Sequence, residues 1–139
     1  MCIVARKMDV VVRKYQNHMK QLWKEFIAAE KKEKWSKEAK INKEVEKWNE
    51  LYPKYSNYYD LHWMTVRGAV EYVERIVKAK TRKNEKVIVY LETGRGNHSN
   101  HGVPVIKREL KLRYGEMKGC SIGEDPRNDG VLRLVLKGK

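Results

Sequence analysis

Val87-Ile88-Val89-Tyr90-Leu91 is the stretch that decides the fold. A continuous apolar run of this length is typical of a central strand that is buried on both faces. Tyr58-Tyr59-Asp60-Leu61-His62, earlier in the chain, is rich in aromatic residues and indicates a shorter strand. Between the two strands, Thr65 is suited to cap a helix whose apolar residues recur with helical spacing. This order of elements predicts an α/β domain.

The rest of the chain extends the same alternation. Pro104 and Gly115 bracket a second helix, because proline is favoured in a first helical turn and glycine just past the last one. Two further strands are expected near residues 119–122 and 131–136, joined by the turn-forming residues 125–130. The predicted fold class is therefore α/β, a two-layer β-α-β-α-β-β sandwich over residues 56–139.

A helical hairpin is predicted for residues 1–55. From Val12 to Ala29, apolar residues recur every three or four positions, which is the spacing of one helix face. Ser36 is a candidate N-cap for a second helix, which Pro53 should end. Because two short helices are not very stable alone, we expect the hairpin to dock on the domain that follows.

The charge and hydrophobicity of the chain indicate which classes of binding partner to expect. The 139 residues carry 31 Lys and Arg against 18 Asp and Glu, a formal net charge of +13 that is shared by both halves. Such an excess fits either a well-solvated surface or a protein that binds the phosphates of nucleic acid. No apolar run approaches the roughly 18 residues of a membrane span, and no signal peptide is evident at Met1. Two distant cysteines form no disulfide framework, so a cytoplasmic location and no membrane partner are expected.

Asp60 and His62 are the first candidate site residues. At positions i and i+2 of a strand their side chains share one face, where an acid and an imidazole suit acid–base work or substrate positioning. The same pair also suits a purely structural hydrogen bond. The neighbouring Trp63 is a candidate for stacking on an unpaired base, although aromatic residues here also suit packing of the hairpin on the sheet.

The loop after the buried strand is the second candidate. It contains Thr93, Gly94, Arg95, Gly96, Asn97, His98 and Ser99. Its glycines permit positive φ, so successive N–H groups can face a phosphate ahead of a helix N-terminus. Arg95 is placed to clamp a phosphate, and His98 to donate to it or to transfer a proton. An ordinary tight turn explains the same pattern.

Together these motifs resemble the Smr (small MutS-related) domain. The family is marked by a Leu-Asp-x-His strand motif and a Thr-Gly-x-Gly loop, similar to Asp60-Leu61-His62 and Thr93-Gly94-Arg95-Gly96 in order and separation. The resemblance covers roughly residues 58–137 and implies the two-layer fold of the C-terminal domain of translation initiation factor 3. It also implies a nuclease, with the loop most similar to the eukaryotic branch that cleaves mRNA on stalled ribosomes in no-go decay.

Two departures from the family pattern stand out. Tyr59 replaces the leucine before the motif's aspartate, which changes packing more than chemistry. Val103-Pro104-Val105 stands where many eukaryotic members carry an arginine implicated in activity, so Lys107 and Arg108 become candidates to supply that cation.

The resulting hypothesis is a monomeric endonuclease that cleaves single-stranded RNA. Asp60 and His62 would move the proton, with His98 as a further candidate, while the loop and α-helical cations bind the phosphate. No cofactor is expected, and the metal requirement stays open. The alternatives are a non-catalytic module that binds RNA or the ribosome, and an endonuclease that nicks DNA.

Overall fold

The computed structural model describes residues 3–94 and 105–138, with side chains from residue 7 onward. Its elements confirm the predicted α/β order behind a helical hairpin. They are α1 (Ile3–Ala28), α2 (Lys31–Leu51), β1 (Tyr58–Asp60), α3 (Val66–Thr81), β2 (Val87–Glu92), α4 (Val105–Gly115), β3 (Cys120–Asp125) and β4 (Asn128–Leu136). Among these described helices, none is both long and apolar enough to cross a membrane.

The sheet has the strand order β1-β2-β4-β3. β1 runs parallel to β2, and the other two pairings are antiparallel. Helices α3 and α4 cover one face, where Val89, Leu91, Leu132 and Leu134 are 0% exposed. The expectation that β2 is buried on both faces is wrong: Ile88 and Tyr90, which alternate with the buried residues, are only half-buried. The reason is that the helical layer lies on a single face.

The hairpin packs on itself and then on the domain. Met19 and Leu22 of α1 meet Ile41 and Val45 of α2 in the same buried cluster as the sheet residues. The first helix begins nine residues before the apolar stripe that indicated it. Ser36 is not the N-cap of α2, because that helix begins at Lys31 and Ser36 Oγ donates to the Glu33 carbonyl inside it. Lys and Glu are good helix formers, so the charged residues Lys31-Lys32-Glu33-Lys34 form the first turn of the helix.

Two local features frame the site. Thr65 caps α3 as predicted, since its Oγ1 accepts a hydrogen bond from the Gly68 N–H at 3.1 Å. Strands β3 and β4 are longer than predicted and leave only a tight turn between them. Asp125 Oδ1 accepts from the Arg127 N–H at 2.9 Å, which stabilises that turn.

Candidate active site

Asp60 and His62 meet at the carboxyl end of β1. The strand ends at Asp60, so His62 lies in the turn that follows it. The prediction that both residues lie on one face of a strand is therefore wrong. The turn still brings the side chains together: His62 Nδ1 lies 2.5 Å from Asp60 Oδ1, and the His62 N–H donates to the same oxygen at 3.1 Å. With Nδ1 donating to the carboxylate, the imidazole is oriented so that proton exchange falls to Nε2.

Glu92 is a third member that the sequence did not reveal. It is the last residue of β2 and is paired with Asp60 across the parallel strands. Its Oε2 lies 3.5 Å from His62 Nδ1, and its Oε1 accepts a short hydrogen bond from the Tyr58 hydroxyl. The sequence did contain a signal for Glu92, which is the acidic residue directly after the apolar run Val87–Leu91. Adjacent parallel strands bring their carboxyl ends to the same edge of the sheet, so an acid at the end of β2 lies near the end of β1.

The two carboxylates change the acidity of His62. Burial by itself favours the neutral ring and lowers the pKa of His62. The hydrogen bond and charge of Asp60, with the charge of Glu92, outweigh that effect, so the pKa of His62 is raised above its ordinary value. The imidazolium is therefore stabilised near neutral pH, as suits a group that alternately accepts and donates a proton.

His62, Asp60 and Glu92 also suit a divalent cation by composition. One ligand atom from each lies within 4.8 Å of the others. As observed, however, these atoms are engaged with each other and with Tyr58. The geometry is that of a hydrogen-bonded acid–histidine pair with a second carboxylate beside it, and metal ligation would require these bonds to be exchanged.

A cavity of about 300 Å³ opens beside this cluster, between the hairpin and the end of the sheet. The wall formed by the hairpin consists of Met8, Val12, Tyr15, Gln16, Trp48, Asn49 and Tyr52. The opposite wall includes Lys54, Tyr58, Asp60, His62, Trp63 and Glu92. The candidate catalytic groups thus face a pocket that the sandwich does not form alone.

The hairpin also holds the backbone of the segment that carries the pair. Asn49 of α2 accepts from the Asp60 N–H at 2.8 Å and donates to the Asp60 carbonyl at 2.9 Å. Asn42 makes a similar pair of bonds with Thr65, to its N–H and its hydroxyl, each at 3.0 Å. Since β1 is an edge strand, Asn49 satisfies backbone groups that no further strand would pair. The turn between Asp60 and Thr65 is therefore held at both ends.

The Thr-Gly pair of the loop lies against this cluster but uses its amides elsewhere. The N–H groups of Thr93 and Gly94 both donate to the Gly130 carbonyl, at 2.9 and 3.2 Å. Gly94 has φ of +77°, a positive value of the kind that the sequence led us to expect for a glycine of this loop. A Cβ on Gly94 would lie 3.2 Å from the Cβ of His62. These two residues therefore support His62, and a phosphate would have to be held by other groups.

The two cations of α4 differ in their surroundings. Lys107 donates to the Asp129 carbonyl at 2.8 Å and pairs with Glu124 at 2.9 Å, and its side chain is 15% exposed. It therefore ties α4 to the adjoining ends of β3 and β4 and is a poor candidate for a phosphate ligand. Arg108 is exposed, as a phosphate ligand must be.

Five further predicted residues need comment. Trp63 is 6% exposed, with its ring centroid 5.3 Å from that of His62, and its carbonyl accepts from Trp23 Nε1 at 2.8 Å. Trp63 thus joins the hairpin to the sheet, and it is mostly buried although it lines the cavity. Arg95 and His98 lie outside the described residues, as do Gly96 and Asn97.

The fold and site define a class: a basic α/β sandwich with an acid–histidine pair at the carboxyl end of its first strand. The chain matches no protein-family model and no curated protein. It is similar to a solved structure described as the solution structure of the B3BP Smr domain, with 31% identity and a TM-score of 0.53. The match covers 73% of this chain and 97% of that domain. This protein therefore belongs to the Smr domain family, which supports a function related to nucleic acid.

Proposed function

We propose that this protein is an endonuclease that cleaves single-stranded RNA. The observation that carries the proposal is the 2.5 Å contact between His62 Nδ1 and Asp60 Oδ1 at the edge of a partly open cavity. Family membership and the net charge of +13 support a polyanionic nucleic acid as the substrate.

The proposed chemistry is transfer of the phosphodiester to the neighbouring 2′-oxygen. His62 Nε2 removes the proton from the 2′-OH, the 2′-oxygen bonds to phosphorus, and the bond from phosphorus to the 5′-oxygen breaks. The leaving 5′-oxygen takes up a proton, which gives a 2′,3′-cyclic phosphate and a 5′-hydroxyl. Asp60 orients the imidazole and stabilises its charged form. His98 remains a candidate for the second proton transfer, although it lies outside the described residues.

The substrate we favour is mRNA on stalled ribosomes, in the cytoplasm, because the loop sequence is most similar to the no-go-decay branch. Binding without cleavage is the second candidate. It is favoured by one observation: Lys107, a candidate replacement for the family's post-loop arginine, is engaged with Glu124 at 2.9 Å. A DNA-nicking activity is the third outcome that the experiment must separate.

Incubation with three labelled substrates tests the proposal. These are single-stranded RNA, single-stranded DNA and supercoiled plasmid, each with and without EDTA. We expect cleavage of the RNA, in the presence of EDTA as well, with 2′,3′-cyclic phosphate ends in the products. Nicked plasmid with intact RNA would replace the RNase proposal by a DNA nickase. Tight RNA binding without any cleavage would replace it by a binding module.

A further inference from the structure

We infer that the cavity beside His62 receives one unpaired, amino-bearing nucleobase of the RNA, so that the hairpin takes part in choosing the cleavage site. The inference rests on the proposed RNA substrate. It concerns a wall of the cavity that α1 and α2 supply.

The hairpin wall is a stacking surface. Tyr15 lies flat on Trp48, with ring centroids 4.1 Å apart and planes at 7°. Tyr52 leans against the same Trp48 at 4.6 Å and is 38% exposed, so it stands at the mouth of the cavity. Aromatic side chains grouped in this way bind the faces of unpaired bases in proteins that bind single strands.

The opposite wall is rich in hydrogen-bond acceptors. The carboxylates of Asp60 and Glu92 are partly exposed there, at 15% and 23%. Among the described lining residues Lys54 is the single Lys or Arg, and it pairs with Glu92 at 3.4 Å. The two carboxylates offset the charges of Lys54 and protonated His62, so a phosphate would find no net attraction, whereas the amino groups of adenine, cytosine and guanine would find acceptors. Uracil would turn carbonyl oxygens toward carboxylates, so we expect it to bind less well.

The size and position of the cavity fit one base. About 300 Å³ is at the lower limit of ligand pockets, a size that suits a single base. His62 and Trp63 line the same space. A base held there would bring its own ribose and phosphate next to the imidazole, which would restrict cleavage to unpaired positions and set a base preference.

The test uses 2′-O-methylated pentanucleotides, which lack the attacking hydroxyl. One is oligouridine, and the other three carry adenine, cytosine or guanine in place of the central uracil. Fluorescence anisotropy with the full chain should give about fivefold tighter binding for the amino-bearing pentamers. Tyr52→Ala should weaken those three about tenfold and oligouridine much less. Tyr52→Trp, which keeps a stacking ring, should bind as the unchanged protein does.

Leu51→Ala is the matched control. Leu51 is the neighbouring residue of the same helix, is 60% exposed and does not line the cavity, so its replacement should leave all four affinities unchanged. Equal binding of the four pentamers, or a Tyr52→Ala protein with unchanged affinity, would overturn the inference. Either result leaves the endonuclease proposal intact if RNA is cleaved. Base preference and Tyr52 dependence without RNA cleavage would support the pocket and reject the nuclease.

Discussion

The hairpin and the sandwich are stabilised by different means. In the sandwich, Val73, Leu91, Leu110 and Leu132 are 0% exposed and form the centre of a continuous core. The hairpin leaves large apolar side chains outside, such as Trp35 at 71% and Ile27 at 68% exposed, while Met19, Ile41 and Val45 are fully buried. Several of its other links to the sandwich are hydrogen bonds and ion pairs.

The hairpin contributes more to the position of the turn that carries His62 than to the free energy of unfolding. Asn42 and Asn49 hold the backbone on either side of the turn that carries His62. Arg67 and Arg75 of α3 pair with Glu38 and Glu46 of α2 at 2.7 and 2.8 Å, near solvent, where such pairs contribute little free energy. Hydrogen bonds of this kind fix position strongly while adding modestly to stability. The sandwich therefore provides the stable frame, and the hairpin positions one turn of it and completes its cavity.

The largest effect should come from His62, in the sandwich. His62→Ala should slow RNA cleavage by about 10²–10⁴ while leaving RNA affinity within a few-fold, since a proton-transfer group acts mainly on the rate. Asp60→Asn should also slow cleavage. The double variant should be slowed by less than the product of the two single effects, because Asp60 and His62 act as a unit. The measurement is single-turnover cleavage of a labelled RNA beside a filter-binding titration.

His18→Ala provides the control from the hairpin. His18 is partly exposed on α1, with Glu44 at 3.9 Å, so its removal should leave the rate unchanged. If His18→Ala lost as much cleavage rate as His62→Ala, the hairpin histidine would matter as much for catalysis as the sandwich histidine. A folded and fully active His62→Ala protein would refute the catalytic role of this pair.

The raised pKa of His62 gives this site a pH signature. The unfolded imidazole titrates at about 6.5, and the folded one titrates above that value. The stabilisation from charged His62 is therefore complete below about pH 6.5 and is lost as pH rises through the folded pKa. In urea unfolding, the difference in unfolding free energy between the unchanged protein and His62→Ala should show this decline. Because His62 must be neutral to accept the 2′-OH proton, the ascending, acid-side limb of the cleavage profile should have its midpoint above about 6.5, higher than an unperturbed histidine would give.

Asn49→Ala should give the next largest effect, this time from the hairpin. The substitution leaves the Asp60 N–H and carbonyl unpaired near the core, which should cost about 1–3 kcal/mol of unfolding free energy. Cleavage should slow about tenfold with less change in KM, because a small displacement of a catalytic group reduces the rate far more than binding. Asn17→Ala, at an exposed site on α1, is the control. A destabilised Asn49→Ala protein with a normal kcat would show that the clamp is structural only.

Gly94→Ala should have a smaller effect, confined to the sandwich. At φ of +77° a Cβ costs roughly 1–2 kcal/mol, and here it would also press on His62 from 3.2 Å. We expect a lower melting temperature together with a reduced cleavage rate. Gly115→Ala, at the end of α4 with nothing within 4 Å of the added Cβ, should melt at or above the original temperature. An unchanged cleavage rate in Gly94→Ala would mean that the contact of the added Cβ with His62 does not affect catalysis.

The smallest effect is expected from the cations of α4. Arg108→Ala should reduce the salt dependence of RNA binding by about one unit of slope, as the loss of one phosphate contact does. Lys107→Ala should leave that slope unchanged and instead lower stability, because Lys107 is held by Asp129 and Glu124. Binding isotherms between about 50 and 200 mM salt measure the slopes. The reverse pattern would place Lys107, and not Arg108, on the RNA.

Sequence patterns predicted those features that depend on neighbours along the chain. The order of the elements, the Thr65 cap and the positive φ of Gly94 all follow from local periodicity and turn chemistry. The proximity of Asp60 and His62 was also predictable, since two residues so close in sequence meet in a strand or in a tight turn. The predicted start of α2 was wrong because Ser36 was taken as the N-cap, whereas the helix already begins at Lys31. The boundary between hairpin and domain near residue 55 stays a prediction.

The sequence by itself determined the class of protein: a basic α/β chain whose strand motif and loop identify an Smr-like site. Only the tertiary structure decided what surrounds that site. Glu92 lies 32 positions after Asp60 yet pairs with it across two strands, and Asn49 reaches the Asp60 backbone from a separate helix. Lys107 is engaged because Glu124 folds beside it. Such contacts are set by how the helices and strands pack against one another, and no local periodicity carries that information.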